Sequence, residues 1–238
     1  DQQVSSTSAI RLQCILRSIT GNLDVKGGDT FVGFSPAVRA DSEIEMHHIL
    51  PDGQKAKQLG SQEFPVFTYR GMEALGDATE QVWGTRWANL VSGCYMANPM
   101  AVFKAMADGD PYPVKAFFAM ANNTLMAYAN NERIYKGLMN QDLIVTFEHA
   151  MTPTAQIADY VLPGDSWLER PSMQAGISDA AMEPPGDCRN VTVFWHMLAK
   201  RMGFGDAFPW ETPNQLLDYR LEPSGSTWDE VVAAGRTP

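Results

Sequence analysis

Two short apolar segments, separated by a polar stretch that contains a proline, constrain the fold of this chain more than any other feature. Residues 143–147 have the length and composition of a buried parallel strand, and residues 160–162 form a second apolar piece that Pro163 and Gly164 stop. Pro153 suits the first turn of an intervening helix, because the N–H that proline lacks has no partner there. The loops at the carboxyl edge of such a sheet are where ligands of open α/β proteins bind.

The remaining sequence alternates in the same way. Residues 114–120 predict another strand and residues 125–138 a helix, which together give a β-α-β unit with a right-handed crossover. Further helices are predicted at residues 8–20, 191–202, 212–219 and 227–234. Residues 30–110 are irregular and rich in Gly, Pro and Trp, and predict loops and short helices. We therefore expect an α/β fold with a doubly wound, mostly parallel sheet flanked by helices.

Composition excludes several classes of protein. The chain has 18 Lys and Arg against 28 Asp and Glu, a net charge of −10, which argues against a general nucleic-acid or anionic-membrane surface. No apolar run reaches the roughly 18 residues that cross a bilayer, so we expect no transmembrane segment. Cys14, Cys94 and Cys188 lie too far apart for a C-x-x-C cluster or a zinc site, and three cysteines without a spacing pattern give no disulfide framework.

One continuous series carries a family resemblance. Residues 148–170, EHAMTPTAQIADYVLPGDSWLER, resemble the molybdopterin oxidoreductase family, and within it the branch of acetylene hydratase, pyrogallol transhydroxylase, catechol dehydroxylases and thiosulfate or polysulfide reductases. Residues 20–28, TGNLDVKGG, resemble a conserved turn of that family. Residues 121–124, ANNT, resemble its G-x-N-P loop, with Ala121 and Thr124 in place of the usual Gly and Pro.

The resemblance implies a set of cofactors and partners. Catalytic subunits of the family hold molybdenum or tungsten through two molybdopterin guanine dinucleotides and carry an iron-sulfur cluster near the amino terminus. Neither the cysteine cluster nor a metal ligand is visible here, so we expect a middle piece of a larger multidomain subunit, in which no metal ligand is identified and the sequence names no catalytic residue. Its partners would be the remainder of that subunit, an iron-sulfur electron-transfer subunit and a small-molecule substrate. We expect two lobes, 1–163 with an irregular insertion at 30–110, and 164–238.

Three candidate binding residues follow the predicted strands. Glu148 occupies a place where the family usually carries Asp, and its carboxylate would accept hydrogen bonds from a guanine edge or a ribose. The alternative is an acid that interacts with the dipole of the following helix. Thr152 either offers its hydroxyl to the same nucleotide or caps that helix. Asn123 either recognises a phosphate or purine or is an ordinary turn residue.

Three further candidates rest on the resemblance alone. Gln2 matches the family's cofactor glutamine by its spacing to the 20–28 turn, unless it belongs to a frayed terminus. Arg170 would clamp a pyrophosphate, or alternatively pair with Glu169. Asn190 lies near a family aspartate that contacts the cofactor. His47 and His48, by contrast, are interpreted as surface residues.

The functional interpretation is one wall of the pterin dinucleotide site in a molybdenum or tungsten enzyme. The parent enzyme would carry out redox oxygen-atom, hydroxyl or sulfur chemistry. Two alternatives stay open: a non-redox hydratase of the same family, and a non-catalytic nucleotide-binding or scaffolding domain that keeps the fold without the metal.

Overall fold

A computed structural model describes residues 5–23, 25–29, 38–39, 44, 49–86, 96–173 and 177–234. The chain forms two compact units, Asp1–Pro36 and Ala37–Pro238. The first unit contains helix α1, Ser6–Ile19, as the sequence predicts. The lobe boundary predicted near Pro163 falls inside the second unit and stays a prediction.

A parallel sheet organises the second unit. Strands β1, Ala116–Met120, β2, Leu143–Glu148, and β3, Tyr160–Pro163, lie side by side in sequential order. Met120 pairs in register with Phe147, and Glu148 pairs with Pro163. The carboxyl ends of all three strands therefore lie at one edge of the sheet.

Short helices connect the strands. Helices α5, Thr124–Ala127, and α6, Asn131–Met139, join β1 to β2, and α7, Pro153–Gln156, joins β2 to β3. The prediction of a single helix at residues 125–138 is wrong, because the chain leaves helical geometry between α5 and α6. There Asn130 adopts a left-handed conformation, which asparagine tolerates, and its side chain caps α6 by accepting a hydrogen bond from Arg133 N.

The region at 30–110 is more regular than its sequence predicts. Besides the short helix α2, Asp52–Lys55, its described part contains α3, Tyr69–Trp83, of 15 residues and α4, Pro99–Asp108, of 10 residues. Asn98 begins α4 by accepting hydrogen bonds from the next two free N–H groups, and the left-handed Gly109 ends it. The prediction of loops and short helices is therefore wrong for these two segments.

Helices cover both faces of the sheet. On one face Ile144 of β2 packs in a cluster with residues of α4 and α6, namely Phe103, Met106, Ile134 and Leu138. Adjacent residues of a strand point to opposite faces, and on the other side Phe147 meets Phe194 of α8, Val191–Arg201, with ring centroids 4.8 Å apart. This three-layer arrangement confirms the predicted α/β class with a parallel sheet flanked by helices.

The carboxyl-terminal part adds a second, smaller core. Helices α9, Pro213–Leu221, and α10, Trp228–Ala234, bury Leu217, Leu221, Trp228 and Val231 against one another. They lie close to the helices predicted at 212–219 and 227–234. Within the described ranges, no helix is long and apolar enough to cross a membrane.

Candidate functional site at the carboxyl edge of the sheet

A buried threonine joins the loop after β1 to the helix after β2. Thr154, which is fully buried, donates a hydrogen bond from Oγ1 to Asn123 Oδ1 (2.8 Å) and accepts one from Leu125 N (3.0 Å). The side-chain oxygen of Asn123 is thus occupied. Among the described residues its amide nitrogen makes no recorded hydrogen bond, so this group remains able to donate to a ligand.

Glu148 and Thr152 form a second pair, at the two ends of the short loop that joins β2 to α7. Thr152 Oγ1 donates to Glu148 Oε1 (2.9 Å) and accepts from Ala155 N (3.2 Å), so Thr152 is the N-cap of α7. Both are partly buried at the end of β2. The capping alternative for Thr152 is therefore realised in the structure. Glu148 keeps Oε2 without a recorded partner in the described part of the chain.

A buried carboxylate that the sequence did not single out lies just beyond β3. The side chain of Asp165 is 1% exposed. Its Oδ2 accepts a hydrogen bond from Asn190 Nδ2 (2.6 Å), while Asn190 Oδ1 caps α8 by accepting from Thr192 N (2.8 Å). Both polar ends of the Asn190 side chain are consequently used within the protein.

Arg170 approaches the same carboxylate from the solvent side. Its Nη1 lies 3.6 Å from Asp165 Oδ1, outside normal hydrogen-bond distance, and the Arg170 side chain is 45% exposed. Asp165 Oδ1 has no hydrogen-bond partner among the described residues. Glu169, the neighbour of Arg170, instead accepts a hydrogen bond from Ser166 N (2.9 Å).

The side chains of Asn123, Glu148 and Asp165 follow the ends of three neighbouring strands. Asn123 follows β1, Glu148 ends β2, and Asp165 follows Pro163, the residue that pairs with Glu148. A pocket of about 340 Å³ lies between the ends of β2 and β3 and helix α8, and none of these three side chains lines it. Its lining is mostly apolar, with two charged residues: Phe147, Leu162, Pro163, Asp187, Arg189, Val193, Phe194 and Met197.

The structure thus brings the predicted residues into three pairs or clusters. Asn123 joins Thr154, Glu148 joins Thr152, and Arg170 and Asn190 both meet Asp165. Gln2 lies outside the described residues, as do His47 and His48.

Two polar residues that the sequence interpretation missed lie within these clusters: Thr154 beside Asn123, and Asp165 between Arg170 and Asn190. Thr154 and Asp165 are both at most 3% exposed. The available signal for Asp165 was its place directly after Pro163-Gly164, just beyond the carboxyl end of β3. Across the described part of the chain, no three His, Cys, Asp or Glu side chains come together in a way that could hold a metal ion.

The chemistry of this edge suits a polar ligand. Within the described residues Glu148 Oε2 and the amide N–H of Asn123 have no protein partner, and such groups can accept from and donate to a ligand. A half-exposed guanidinium can bind a phosphate in a bidentate manner. The orphaned, buried oxygen of Asp165 indicates that at least one interaction at this edge is incomplete in the isolated chain.

Comparison with known proteins places the chain in a family. The model of the molybdopterin oxidoreductase family matches residues 56–201, which include the sheet and α8. The chain belongs to this family.

Its relatives are considerably longer proteins. It is 47% identical to acetylene hydratase of Syntrophotalea acetylenica over 97% of this chain and 32% of that protein. The solved structure of acetylene hydratase from Pelobacter acetylenicus superposes with a TM-score of 0.73 at 46% identity, over 96% of this chain and 32% of the other. Over 52% of this chain and 18% of the relative, it is 29% identical to the molybdopterin-containing subunit of thiosulfate reductase from Salmonella typhimurium. The chain thus spans about a third of the length of its acetylene hydratase relatives.

Proposed function

We propose that this chain forms one wall of a pterin guanine dinucleotide site within the catalytic subunit of a molybdenum or tungsten enzyme. The observation that carries the proposal is the gathering of Asn123, Glu148 and Asp165 at the carboxyl ends of three adjacent parallel strands. Open α/β sheets bind their ligands at this edge. Membership of the molybdopterin oxidoreductase family supports a pterin as that ligand.

In the proposed site Glu148 recognises the guanine or ribose. Thr152 holds Oε1 of the carboxylate, which fixes its orientation and leaves Oε2 to accept N–H or O–H donors from the nucleotide. Thr154 similarly fixes Asn123 by its Oδ1 and leaves the amide to donate. A side chain whose rotamer is already fixed loses less entropy when the ligand binds.

Arg170 is the proposed phosphate-binding group. Its guanidinium is exposed enough to meet a pyrophosphate and close enough to Asp165 to be oriented by it. When bound, the metal and pterin supply the bond-making chemistry, and the residues of this chain position the nucleotide end. A second dinucleotide, an iron-sulfur cluster and an iron-sulfur electron-transfer partner belong to the same proposal for the whole enzyme.

For the reaction itself, the identity of 47% to acetylene hydratase favours hydration of a small unsaturated substrate. Redox oxygen-atom, hydroxyl or sulfur chemistry is the second candidate. It is supported by the similarity to thiosulfate reductase and by 27% identity to dopamine dehydroxylase of Eggerthella lenta over 79% of this chain. Formation of an aldehyde from acetylene, with no net oxidation or reduction of substrate, supports hydration. Turnover that consumes one equivalent of a two-electron donor for each molecule of product supports the redox candidate.

The nucleotide site is tested by Glu148→Ala in the whole protein that carries this chain. We expect a loss of about one to two charge-assisted hydrogen bonds, each roughly 1.5 to 3 kcal/mol, and hence fewer retained pterin dinucleotides per molecule. Retention is measured as guanine nucleotide released by acid hydrolysis, together with metal content. The exposed Glu183 offers a matched control, and Glu183→Ala should retain the wild-type amount.

Two results would count against the proposal. Normal dinucleotide content in Glu148→Ala would remove Glu148 from the site. A wild-type protein without metal or pterin would instead favour the scaffolding alternative, in which the fold is kept without the cofactor.

A further inference from the structure

Asp165 has the features of a residue that positions another residue. It is buried, negatively charged and placed between an exposed cation and a helix start: Arg170 on one side and Asn190 on the other. Each carboxylate oxygen faces a different partner. Oδ2 is satisfied by Asn190, while Oδ1 faces Arg170 at 3.6 Å and has no hydrogen-bond partner among the described residues.

The distance of 3.6 Å between Arg170 Nη1 and Asp165 Oδ1 is longer than a hydrogen bond. A charge-assisted hydrogen bond between a guanidinium and a carboxylate measures about 2.7 to 2.9 Å. Arg170 therefore needs to move by somewhat less than 1 Å to close the bond to Asp165 Oδ1. Leaving a buried carboxylate oxygen without a donor costs free energy, so the protein favours the closed arrangement whenever the rest of the guanidinium is also bound.

The loop that bears Asp165 is fixed on both sides. Gly164 forms a β-bridge with Arg189, and Arg189 N donates to Pro163 O (3.1 Å). Glu169 closes the turn that leads to Arg170 by accepting from Ser166 N. The loop that carries the carboxylate is thus held by hydrogen bonds on both sides, whereas the Arg170 side chain is 45% exposed.

We propose that Asp165 is a positioning residue, which orients Arg170 so that the outer N–H groups of its guanidinium bind the pyrophosphate of the nucleotide. This inference rests on the proposed function and adds to it the group that prepares the phosphate-binding side chain. One edge of the planar guanidinium faces Asp165 Oδ1, and the other edge remains for phosphate oxygens.

Asp165→Asn separates this role from a purely structural one. In the variant the amide oxygen can still accept the hydrogen bond from Asn190, and the amide NH₂ then faces Arg170, donor against donor. The contact to α8 is kept while the orientation of Arg170 is lost. Asn190→Ser is the matched control, because serine still caps α8 but no longer donates to Asp165.

The experiment measures binding of GDP and of guanosine to the whole protein that carries this chain, prepared without cofactor, by calorimetry. We expect Asp165→Asn to weaken GDP binding about tenfold, corresponding to the loss of roughly one charge-assisted hydrogen bond, and to leave guanosine binding unchanged. Asn190→Ser should leave the ratio of the two affinities at its wild-type value. In an Arg170→Gln background, Asp165→Asn should have no further effect on GDP.

The alternative outcomes are distinct. If Asp165→Asn leaves GDP binding unchanged, or weakens GDP and guanosine equally, Asp165 does not act through Arg170 and the inference is overturned. The proposed function survives that result when Glu148→Ala still weakens both ligands. If the wild-type protein binds neither GDP nor guanosine, the proposed site itself fails, and the inference fails with it.

Discussion

Thr154 Oγ1 donates a hydrogen bond to Asn123 Oδ1 across 2.8 Å, and this contact ties the loop after β1 to the helix after β2. The same hydroxyl accepts from Leu125 N. Two loops that both contribute to the proposed ligand edge are therefore held together by one fully buried side chain. Thr154 orients Asn123, and Thr152 orients Glu148. Both threonines belong to the short helix α7 or its N-cap, so this helix supports both candidate binding residues.

Removing the Thr154 hydroxyl should destabilise the fold. Thr154→Val keeps the shape of the side chain but leaves Asn123 Oδ1 and Leu125 N without a partner at a buried position. An unsatisfied buried group costs about 1 to 3 kcal/mol, so the free energy of unfolding should fall by about that amount in urea titrations.

Thr124 provides the control for this prediction. It is 1% exposed, and its Oγ1 has no hydrogen-bond partner among the described residues. Thr124→Val removes an unpaired polar atom, so we expect unchanged or slightly increased stability. Equal losses in both valine variants would show that the hydrogen bonds of Thr154 do not contribute specifically.

A carboxylate at position 190 should destabilise the protein. Asn190→Asp keeps a good N-cap for α8 but replaces the donor to Asp165 with a second acid, 2.6 Å away in the wild-type geometry. Two carboxylates at that distance disfavour double ionisation, so one of them takes a raised pKa in the folded variant.

A raised pKa in the folded state fixes the direction of the pH effect. The repulsion between the two carboxylates is absent while one of them is protonated, and it grows as pH rises through the raised pKa. The free energy of unfolding of Asn190→Asp should therefore be lowest at neutral pH and recover on acidification. Thermal melting from pH 4 to 8 measures this effect. Asn190→Ser, which adds no charge, should show no such recovery.

The sequence predicted the sheet better than the polar site. Residues 143–147 are apolar except for Thr146, and Pro163-Gly164 ends β3, so both strands and their shared edge could be placed from local pattern alone. The break between α5 and α6 was missed, since Asn130 reads as an ordinary polar helix residue until its left-handed conformation is seen.

The contacts between side chains required the folded structure. Glu148 and Arg170 were identified by their place in a motif, but Asp165 becomes a candidate only once it is buried between Arg170 and Asn190, which are distant from each other in sequence. Likewise, the pairing of Thr154 with Asn123 depends on the register of β1 with β2. Sequence pattern specifies which loops meet, whereas packing decides which side chains in those loops have partners.

Close backbone approach at the start of α3 makes Gly71 intolerant of a side chain. A Cβ at this position would lie 2.2 Å from Pro65 O. That carbonyl is fixed because it accepts hydrogen bonds from Thr68 N (3.0 Å) and Thr68 Oγ1 (2.6 Å). Gly71→Ala should therefore lower the free energy of unfolding by about 1 to 3 kcal/mol, despite the better helix propensity of alanine.

Gly53 in α2 is the matched position without a neighbour. No atom lies within 4 Å of a Cβ built there. Gly53→Ala should stabilise the protein by about 0.4 to 1 kcal/mol, because alanine reduces the entropy of the unfolded chain. A stabilising Gly71→Ala would contradict the close approach of Pro65 to α3.

The ion pairs of Asp108 should make the contact between α4 and α6 sensitive to acid. Lys136 Nζ lies 2.9 Å from Asp108 Oδ1 and Arg133 Nη2 lies 3.2 Å from Oδ2. The hydrogen bond from Lys136, followed by its charge and the contribution of Arg133, holds the pKa of Asp108 below its ordinary value of 3.8. A carboxyl whose pKa is lowered by folding contributes stability above its unfolded pKa, and this contribution disappears as pH falls through the folded value.

Asp108→Asn should consequently lower the urea midpoint at pH 7, and the difference from wild type should vanish on acidification through and below pH 3.8. Both proteins should also converge in about 1 M salt, where screening reduces exposed ion pairs. Asp142 provides the comparison, since it meets the single cation Lys115 at 3.2 Å with both side chains about two-thirds exposed. Asp142→Asn should have a smaller effect, because an isolated exposed pair contributes little. A difference between Asp108→Asn and wild type that persists unchanged well below pH 3.8 would instead point to lost packing rather than to lost charge.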